Sequence, residues 1–236
     1  MEVGSLYREP EVQDEIAWGA LELRDVFRIY RSGPAETVAL RGLDLRIEPR
    51  ELVAVFGPSG SGKSTMLHLA GGLDRASAGE VRAFGRSLAV LSEHDLAAYR
   101  AREVAVVFQS DNLFSWLSAR ANVELSAALG GKRSRDAADQ ALDAFGLAAR
   151  SHVRAGQLSG GEQQRVAIAA AAIRQAPLVL ADEPTAELDE ANERLVLDAL
   201  HRLRDDFGST VVVVTHSTAI AESADRVVEI VDGRIA

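Results

Sequence analysis

The spacing of apolar and polar residues divides this chain into short elements of two kinds. Residues 21–26 and 38–47 alternate apolar with polar positions, the pattern of strands with one buried face. Residues 51–56 (apolar after Glu51), 104–108, 178–181 and 211–214 are apolar runs, which predict strands buried on both faces. Residues 79–85 predict another short strand between Gly79 and Gly85. A helical period begins at Ser64, runs over 92–100 with Ser92 as its cap, and returns over 161–174, 191–204 and 218–224. Residues 227–235 predict a closing strand folded by a turn at Asp232-Gly233. Between residue 111 and about 157 the chain turns helical and alanine-rich, broken at Gly130-Gly131-Lys132-Arg133. Strands alternating with helices predict an α/β domain with a mostly parallel sheet, interrupted by an inserted helical lobe. Residues 1–19 have no steady period and read as a flexible or loosely docked extension.

Composition narrows this picture. A chain of 236 residues suits one large domain, or a domain with an inserted lobe. An apolar share of 47% supports a sizeable core, and a formal charge of -9 argues against indiscriminate nucleic-acid binding. There is no cysteine, which excludes disulfides and thiol chemistry. No apolar run approaches the roughly 18 residues needed to cross a bilayer, and no basic-then-apolar leader opens the sequence. Membrane work is therefore expected to pass through a partner, with no direct membrane insertion.

The chemistry centres on residues 51–65. A buried strand feeds Gly57-Pro58-Ser59-Gly60-Ser61-Gly62-Lys63-Ser64-Thr65 and then a helix, the context in which G-x-x-x-x-G-K-[ST] is a phosphate loop. Amides of Gly60, Gly62 and Lys63 can wrap a phosphate, and the positive end of the following helix points at the same place. Lys63 then reaches the β- and γ-phosphates of a nucleoside triphosphate, while the Ser64 hydroxyl takes one Mg2+ position. A plain glycine turn between strand and helix is the rival reading; the full pattern argues against it.

Two further features gain meaning beside that loop. The buried run 178–181 ends in Asp182-Glu183. Alone, such carboxylates cap a following helix. Next to a phosphate loop, Asp182 suits Mg2+ through its water shell and Glu183 suits an attacking water. Leu158-Ser159-Gly160-Gly161-Glu162-Gln163-Gln164-Arg165 is a second glycine turn opening a helix, hence a second anion site. Ser159 followed by Glu162 is equally a capping box, and taken alone the capping reading is preferred.

Together these residues resemble the nucleotide-binding subunit of the ATP-binding cassette (ABC) family over residues 20–236. Residues 158–164 match the family signature, Gln109 the glutamine loop, Asp189 the aspartate loop and His216 the switch histidine; Tyr30 lies at the right distance upstream for the aromatic that stacks on adenine. The resemblance implies a P-loop NTPase (RecA-like) core, an antiparallel β subdomain, and an α-helical subdomain inserted at about 110–158. It implies ATP and Mg2+ as cofactors, with Gln109 sensing the metal and hinging the helical lobe. It also implies a head-to-tail homodimer in which the phosphate loop of one subunit and the Ser159-Gly160-Gly161 turn of the other hold one ATP. Each assignment has a plain rival: a strand-end aromatic for Tyr30, a strand cap for Gln109, a satisfied near-core histidine for His216. The other histidines, His68, His94, His152 and His201, have no metal-ligand spacing.

Finer features look most like the branch holding the lipoprotein-release, macrolide-export and cell-division ATPases: Gly71-Gly72-Leu73-Asp74, Val107-Phe108-Gln109 with Asn112-Leu113, and Glu162 through Ala169. In that branch the ATPase drives an integral-membrane permease from the cytoplasmic face of the cell membrane. Departures from the family are Arg50 and Ala186 in place of common glycines, and Ala170 in place of a common arginine. A soluble mechanical ATPase is the alternative; such relatives usually carry a long coiled coil or tandem cassettes, and neither is visible. A regulatory module with a dead site is disfavoured, since Lys63, Asp182, Glu183 and His216 are all present. Finally, Asn112-Leu113-Phe114-Ser115-Trp116-Leu117 is an apolar stretch expected to border solvent. Leu113 and Leu117 are expected to fill the lobe's core, and Phe114 and Trp116 to form a partly exposed groove for the permease.

Overall fold

The computed structural model describes residues 18–33, 35–131 and 135–236. Residues 1–17, which carry most of the expected extension, lie outside the described residues, as do Lys132 and Arg133 of the break in the lobe.

Two sheets share the core. The larger holds six strands among the described residues: β3 (Leu52–Phe56), β6 (Val104–Val107), β7 (Leu178–Asp182), β8 (Thr210–Val214), β9 (Arg226–Val231) and β10 (Arg234–Ile235). Their order is β10-β9-β3-β8-β7-β6. Pairing is parallel from β9 through β6, and only β10 runs against its neighbour. The apolar runs follow from this placement. Leu52 and Ala54 face one hydrophobic cluster, while Val53 and Val55 face another, all fully buried. The first cluster lies under α5 (Gly160–Arg174), α6 (Glu190–Asp205) and the lobe; the second lies under α1 (Lys63–Ala70), α2 (Glu93–Arg102) and the smaller sheet. A strand covered on both faces has no polar side to show.

The smaller sheet is antiparallel, in the order β2-β1-β4-β5: β1 is Leu21–Ser32, β2 Ala35–Ile47, β4 Ala78–Ala83 and β5 Arg86–Ser87. β1 extends well past the six residues its alternation marks. The reason is a bulge: its register against β2 shifts between Leu23 and Val26, and Asp25 sits at φ 47°. An inserted residue breaks the two-residue period without ending the strand. Trp18 and Gly19 dock on this sheet. The Gly19 amide donates to Glu22, and the Arg24 and Arg82 guanidiniums both lie over the Trp18 ring.

The helical lobe holds α3 (Ala119–Leu129) and α4 (Arg135–Ala144) and joins the larger sheet through α5. The Ser126 hydroxyl donates to the Ala170 carbonyl at 2.7 Å, tying α3 to α5. A short helix, α7 (Thr218–Ser223), follows β8, and the β9–β10 hairpin turns at Asp232 and Gly233 with φ 49° and 76°. Two left-handed residues in a two-residue turn match the twist of the flanking strands. Gly233 also pins β2, its carbonyl accepting from the Arg41 amide at 2.9 Å.

Arg50, one of the departures from the family, precedes β3 at φ 63°. Its amide donates to Thr210 Oγ1 at 2.9 Å, so the backbone is held in a conformation that glycine adopts without penalty. The exposed Arg50→Gly variant is expected to gain about 0.5–1 kcal/mol. Denaturant midpoints of the two proteins check this, and an unchanged or lower midpoint would contradict it.

Candidate functional site

The site grows from the turn between β3 and α1. Gly57 stands at φ 147° with the Ile230 carbonyl oxygen 2.1 Å from where a Cβ would sit; Gly62, at φ 104°, has the Ala39 oxygen 2.5 Å from that point. Neither position admits a side chain, so the loop folds flat against β2 and the final hairpin. Lys63 opens α1 and is 94% buried, its Nζ donating to the carbonyls of Gly57 (2.8 Å) and Pro58 (2.9 Å). Burial pushes the ammonium below its ordinary pKa, against the opposing pull of Glu183 and Asp182. A buried cation held only by neutral carbonyls is suited to an incoming anion.

Parallel pairing sets the acidic groups beside it. Asp182 pairs with Val214 and ends β7; its Oδ1 accepts from the Ser64 hydroxyl at 3.2 Å. Glu183 follows at φ 47°, a left-handed conformation costly for a glutamate, with its amide donating to the Val214 carbonyl at 2.8 Å. The turn aims the Glu183 carboxylate at His216: one oxygen lies 3.1 Å from Nε2, the other accepts from the His216 amide at 3.2 Å. Adjacent carboxylates thus serve different neighbours, Asp182 the hydroxyl at the loop and Glu183 the histidine after β8.

A cavity of about 730 Å³ is lined by Ser59, Gly60, Gly62, Lys63, Ser64, Thr65, Gln109, Glu183 and His216, among others, while Asp182 stays outside the lining and is bonded to Ser64. Sequence reading missed Thr185, Glu193, Ala39 and Thr37, which also line it. Thr185 lies just beyond Asp182-Glu183, a position that invites attention. Thr37 and Ala39 lie far off in sequence and reach the cavity only because β2 covers the loop. Gln109 lines the cavity too, while its side-chain amide donates to Glu187 Oε1 at 3.2 Å. Buried Gln164 of α5 donates to the Phe108 carbonyl at 3.1 Å and to that of Gln109, anchoring this turn to the helix after the second glycine turn.

The second turn lies apart: Ser159, Gly161 and Asp189 do not line that cavity. Ser159 and Glu162 form the capping box, with the Ser159 amide donating to Glu162 Oε2 at 2.9 Å and the Glu162 amide to Ser159 Oγ at 3.3 Å. Glu162 also accepts from Arg150 at 2.9 Å. Asp189 caps α6, its Oδ1 accepting from the Asn192 amide at 2.8 Å. Those bonds hold its carboxyl below the usual range, the Asn192 amide foremost. Gly161 is packed tightly, since a Cβ there would lie 2.5 Å from Asn192 Oδ1. Tyr30 is cross-strand partner to cavity-lining Thr37 but is not itself in the lining; its hydroxyl donates to Asp74 Oδ2 at 2.9 Å, beneath the Arg28 guanidinium. The residues would suit a nucleoside triphosphate with Mg2+. A buried lysine would face the phosphates, and a hydroxyl and a carboxylate already in contact are hard oxygen donors of the kind Mg2+ prefers.

Because Asn192 is anchored by both Asp189 oxygens (3.0 and 3.1 Å), Gly161→Ala has no easy relief. It is expected to cost about 1–3 kcal/mol by overpacking, most of which Asn192→Ala in the same chain should restore. Equal melting curves for Gly161→Ala and the unmodified protein would contradict this.

Comparison with known proteins agrees with this geometry. The ABC transporter family model matches residues 40–186. The macrolide export ATP-binding/permease protein MacB of Rhodopseudomonas palustris (strain BisB18) is 46% identical over 221 residues, covering 92% of this chain and 34% of that protein. Its counterpart in Azoarcus sp. (strain BH72) is 44% identical over 218 residues, covering 91% and 33%. The chain thus spans about a third of the length of these relatives. Among solved structures, the ATP-binding cassette MJ0796, a dimer in a post-hydrolysis state bound to ADP and Pi, superposes with a TM-score of 0.83 at 37% identity, covering 91% of this chain and 96% of that one. The cbiO1 protein of Clostridium perfringens, part of the ABC transporter complex cbiONQ, gives 0.80 at 27% identity, covering 92% and 87%. A phosphate loop, a strand-end carboxylate pair and a facing histidine on this fold identify the chain as a member of the ABC transporter family, carrying its ATP-hydrolysing cassette.

Proposed function

We propose that two copies of this cassette close head to tail around two ATP and that the cycle of closing and opening drives an integral-membrane permease. The observation that carries the reading is the convergence of Lys63, Ser64, and Glu183 with His216 on one cavity, with Asp182 bonded to Ser64 beside it. Lys63 exchanges the Gly57 and Pro58 carbonyls for the β- and γ-phosphates. Ser64, Asp182 and Gln109 hold Mg2+, which neutralises phosphate charge when bound. Glu183 accepts a proton from the attacking water, and His216 steadies its carboxylate and the γ-phosphate. Ser159, Gly160, Gly161 and Asp189 serve the nucleotide of the other subunit, which accounts for their distance from the cavity of their own chain. Tyr30 stacks on adenine at the rim beside Thr37.

In this reading residues 20–236 form the cassette, residues at about 110–158 the lobe that contacts the permease, and residues 1–19 an extension to it. Among the described residues no helix is long and apolar enough to cross a membrane. The cassette acts at the cytoplasmic face of the membrane, and export, lipoprotein release or transmembrane force transmission is the work performed. The MacB relatives favour export. Contact with the permease falls at Phe114 and Trp116, 46% and 68% exposed, whose rings meet edge to face with centroids 5.2 Å apart. Leu113 packs on the core below them. A neighbouring cavity of about 190 Å³ runs from Phe114 past Leu125 and Leu129 to Ala170. Asn112 links this surface to the glutamine loop, its Nδ2 donating to the Phe108 carbonyl (2.7 Å) and to Gln164 Oε1 (3.2 Å). The soluble mechanical ATPase remains the alternative class, and the docking test below separates the two.

Glu183→Gln is expected to bind ATP, to lose at least about 100-fold in hydrolysis, and to accumulate as a dimer with ATP by light scattering. A strictly monomeric variant at saturating ATP would count against the shared site. Trp116→Glu is expected to keep its fold and its ATP affinity while leaving the membrane fraction of its native cells, because large aromatics carry much of an interface's energy. Retention on the membrane at the level of the unmodified protein would move the docking surface elsewhere.

A further inference from the structure

Arg28 and Asp74 have no part in the chemistry above, yet they form a two-pronged ion pair around Tyr30. Arg28 Nε lies 2.8 Å from Asp74 Oδ2 and Nη2 lies 2.8 Å from Oδ1, a bidentate pair with each side chain about a quarter exposed. Both groups also engage Tyr30. The Arg28 guanidinium sits 4.4 Å from the ring centroid, and the Tyr30 hydroxyl donates to Asp74 Oδ2 at 2.9 Å. Burial pushes the Asp74 carboxyl upward. The Arg75 amide, the Tyr30 hydroxyl and Arg28 together outweigh it, so the carboxyl stays ionised well into acid. One face of the ring is therefore covered by a cation and its hydroxyl end is tied down. Tyr30 as a residue is 37% exposed, beside Thr37 at the rim of the phosphate cavity.

We infer that Arg28 and Asp74 are positioning residues that hold the Tyr30 ring as a preset platform for the nucleotide base. The inference rests on the proposed stacking of Tyr30 with adenine. Asp74 belongs to the turn that ends α1, its amide donating to the His68 carbonyl at 3.3 Å. The helix whose first residue meets the phosphates is thereby tied, at its far end, to the ring that meets the base. Triphosphate and base sites are held at a fixed separation before any nucleotide arrives, so less ordering entropy is lost on binding. A guanidinium on one ring face and a base on the other also makes a three-layer stack, in which the cation is shielded from water by the ring.

A purely structural tie between the smaller sheet and α1 would weaken every ligand of the cassette alike; a base platform would not. The test compares ATP with inorganic triphosphate, which has the phosphates and no base. Arg28→Ala is expected to raise the KM for ATP about 5–10-fold, with kcat within about two-fold and inhibition by inorganic triphosphate unchanged. Arg28→Lys keeps a cation without the bidentate fork and should recover part of the loss. Tyr30→Phe removes only the bond to Asp74, at an exposed site where folding is not at risk, and should raise the KM about two- to three-fold. In a Tyr30→Ala background, Arg28→Ala should have no further effect. Equal weakening of ATP and triphosphate, or a full Arg28→Ala effect without the ring, would overturn the inference. A silent Arg28→Ala beside an impaired Tyr30→Ala would remove the clamp alone. A silent Tyr30→Ala would remove the stacking itself, and the clamp with it.

Discussion

The register of four parallel strands sets the relative positions of the proposed catalytic and phosphate-binding groups in this cassette. Val55 of β3 pairs with Val214 of β8, Asp182 of β7 pairs with the same Val214, and Ala181 pairs with Val107 of β6. The phosphate loop, the Asp182-Glu183 pair, His216 and Gln109 all begin within a few residues of those ends, so the sheet delivers them to one edge. That edge is the carboxyl end of the strands, where parallel sheets place their ligands. The register is not free to slip. Successive residues of each strand face two different hydrophobic clusters, and a shift by one would exchange the sets. Strand burial on both faces thus stabilises the fold and aligns the site through the same contacts.

The elements most readable in the sequence were those governed by this burial. Apolar runs at 51–56, 104–108, 178–181 and 211–214 became β3, β6, β7 and β8 with ends shifted by a residue. Ser92 proved the cap of α2, its hydroxyl accepting from the Asp95 amide at 3.2 Å, because capping is local and residue-specific. Legibility failed where tertiary contact overrides local pattern. β1 reads as six residues and runs for twelve, since the bulge at Asp25 inserts a residue that alternation cannot absorb. The phosphate loop and the strand-end carboxylates were legible as motifs, but Thr37 and Ala39 were not. Their place at the cavity comes from β2 lying over the loop, a contact across more than twenty residues of chain.

Departures from the family become interpretable only in three dimensions. Arg50 occupies a left-handed position, which explains why glycine is common there and shows that the penalty is small enough to be borne. Ala186 lines the cavity beside the phosphate-loop motif, where its β-carbon takes space that glycine would leave open, without adding charge. Ala170 lines the cavity that opens near Phe114 and Leu129, so a long basic side chain at this position would enter that space. These changes leave Lys63, Asp182, Glu183 and His216 untouched. Arg50 acts on the backbone before β3, and Ala186 and Ala170 act on the space within two cavities.

The helix starts differ in character at the two proposed anion sites. Helices α2, α3, α5, α6 and α7 each open on a serine or aspartate whose oxygen accepts from the first turn: Ser92, Ser118, Ser159, Asp189 and Ser217. α1 opens on Gly62 with no side-chain cap and no acidic residue in its first turn. Its orphan donors and positive dipole end are left facing the cavity, next to a buried lysine, which is the arrangement a multiply charged phosphate needs. α5 is different. Ser159 and Glu162 satisfy part of its first turn, and Glu162 brings a negative charge that Arg150 offsets. Unaided, such a turn would hold an anion weakly. In the proposed head-to-tail pair it would suit a contact completed by a nucleotide already fixed on another subunit's phosphate loop, since weak affinity on one side would allow the closed pair to part once the phosphate charge changes.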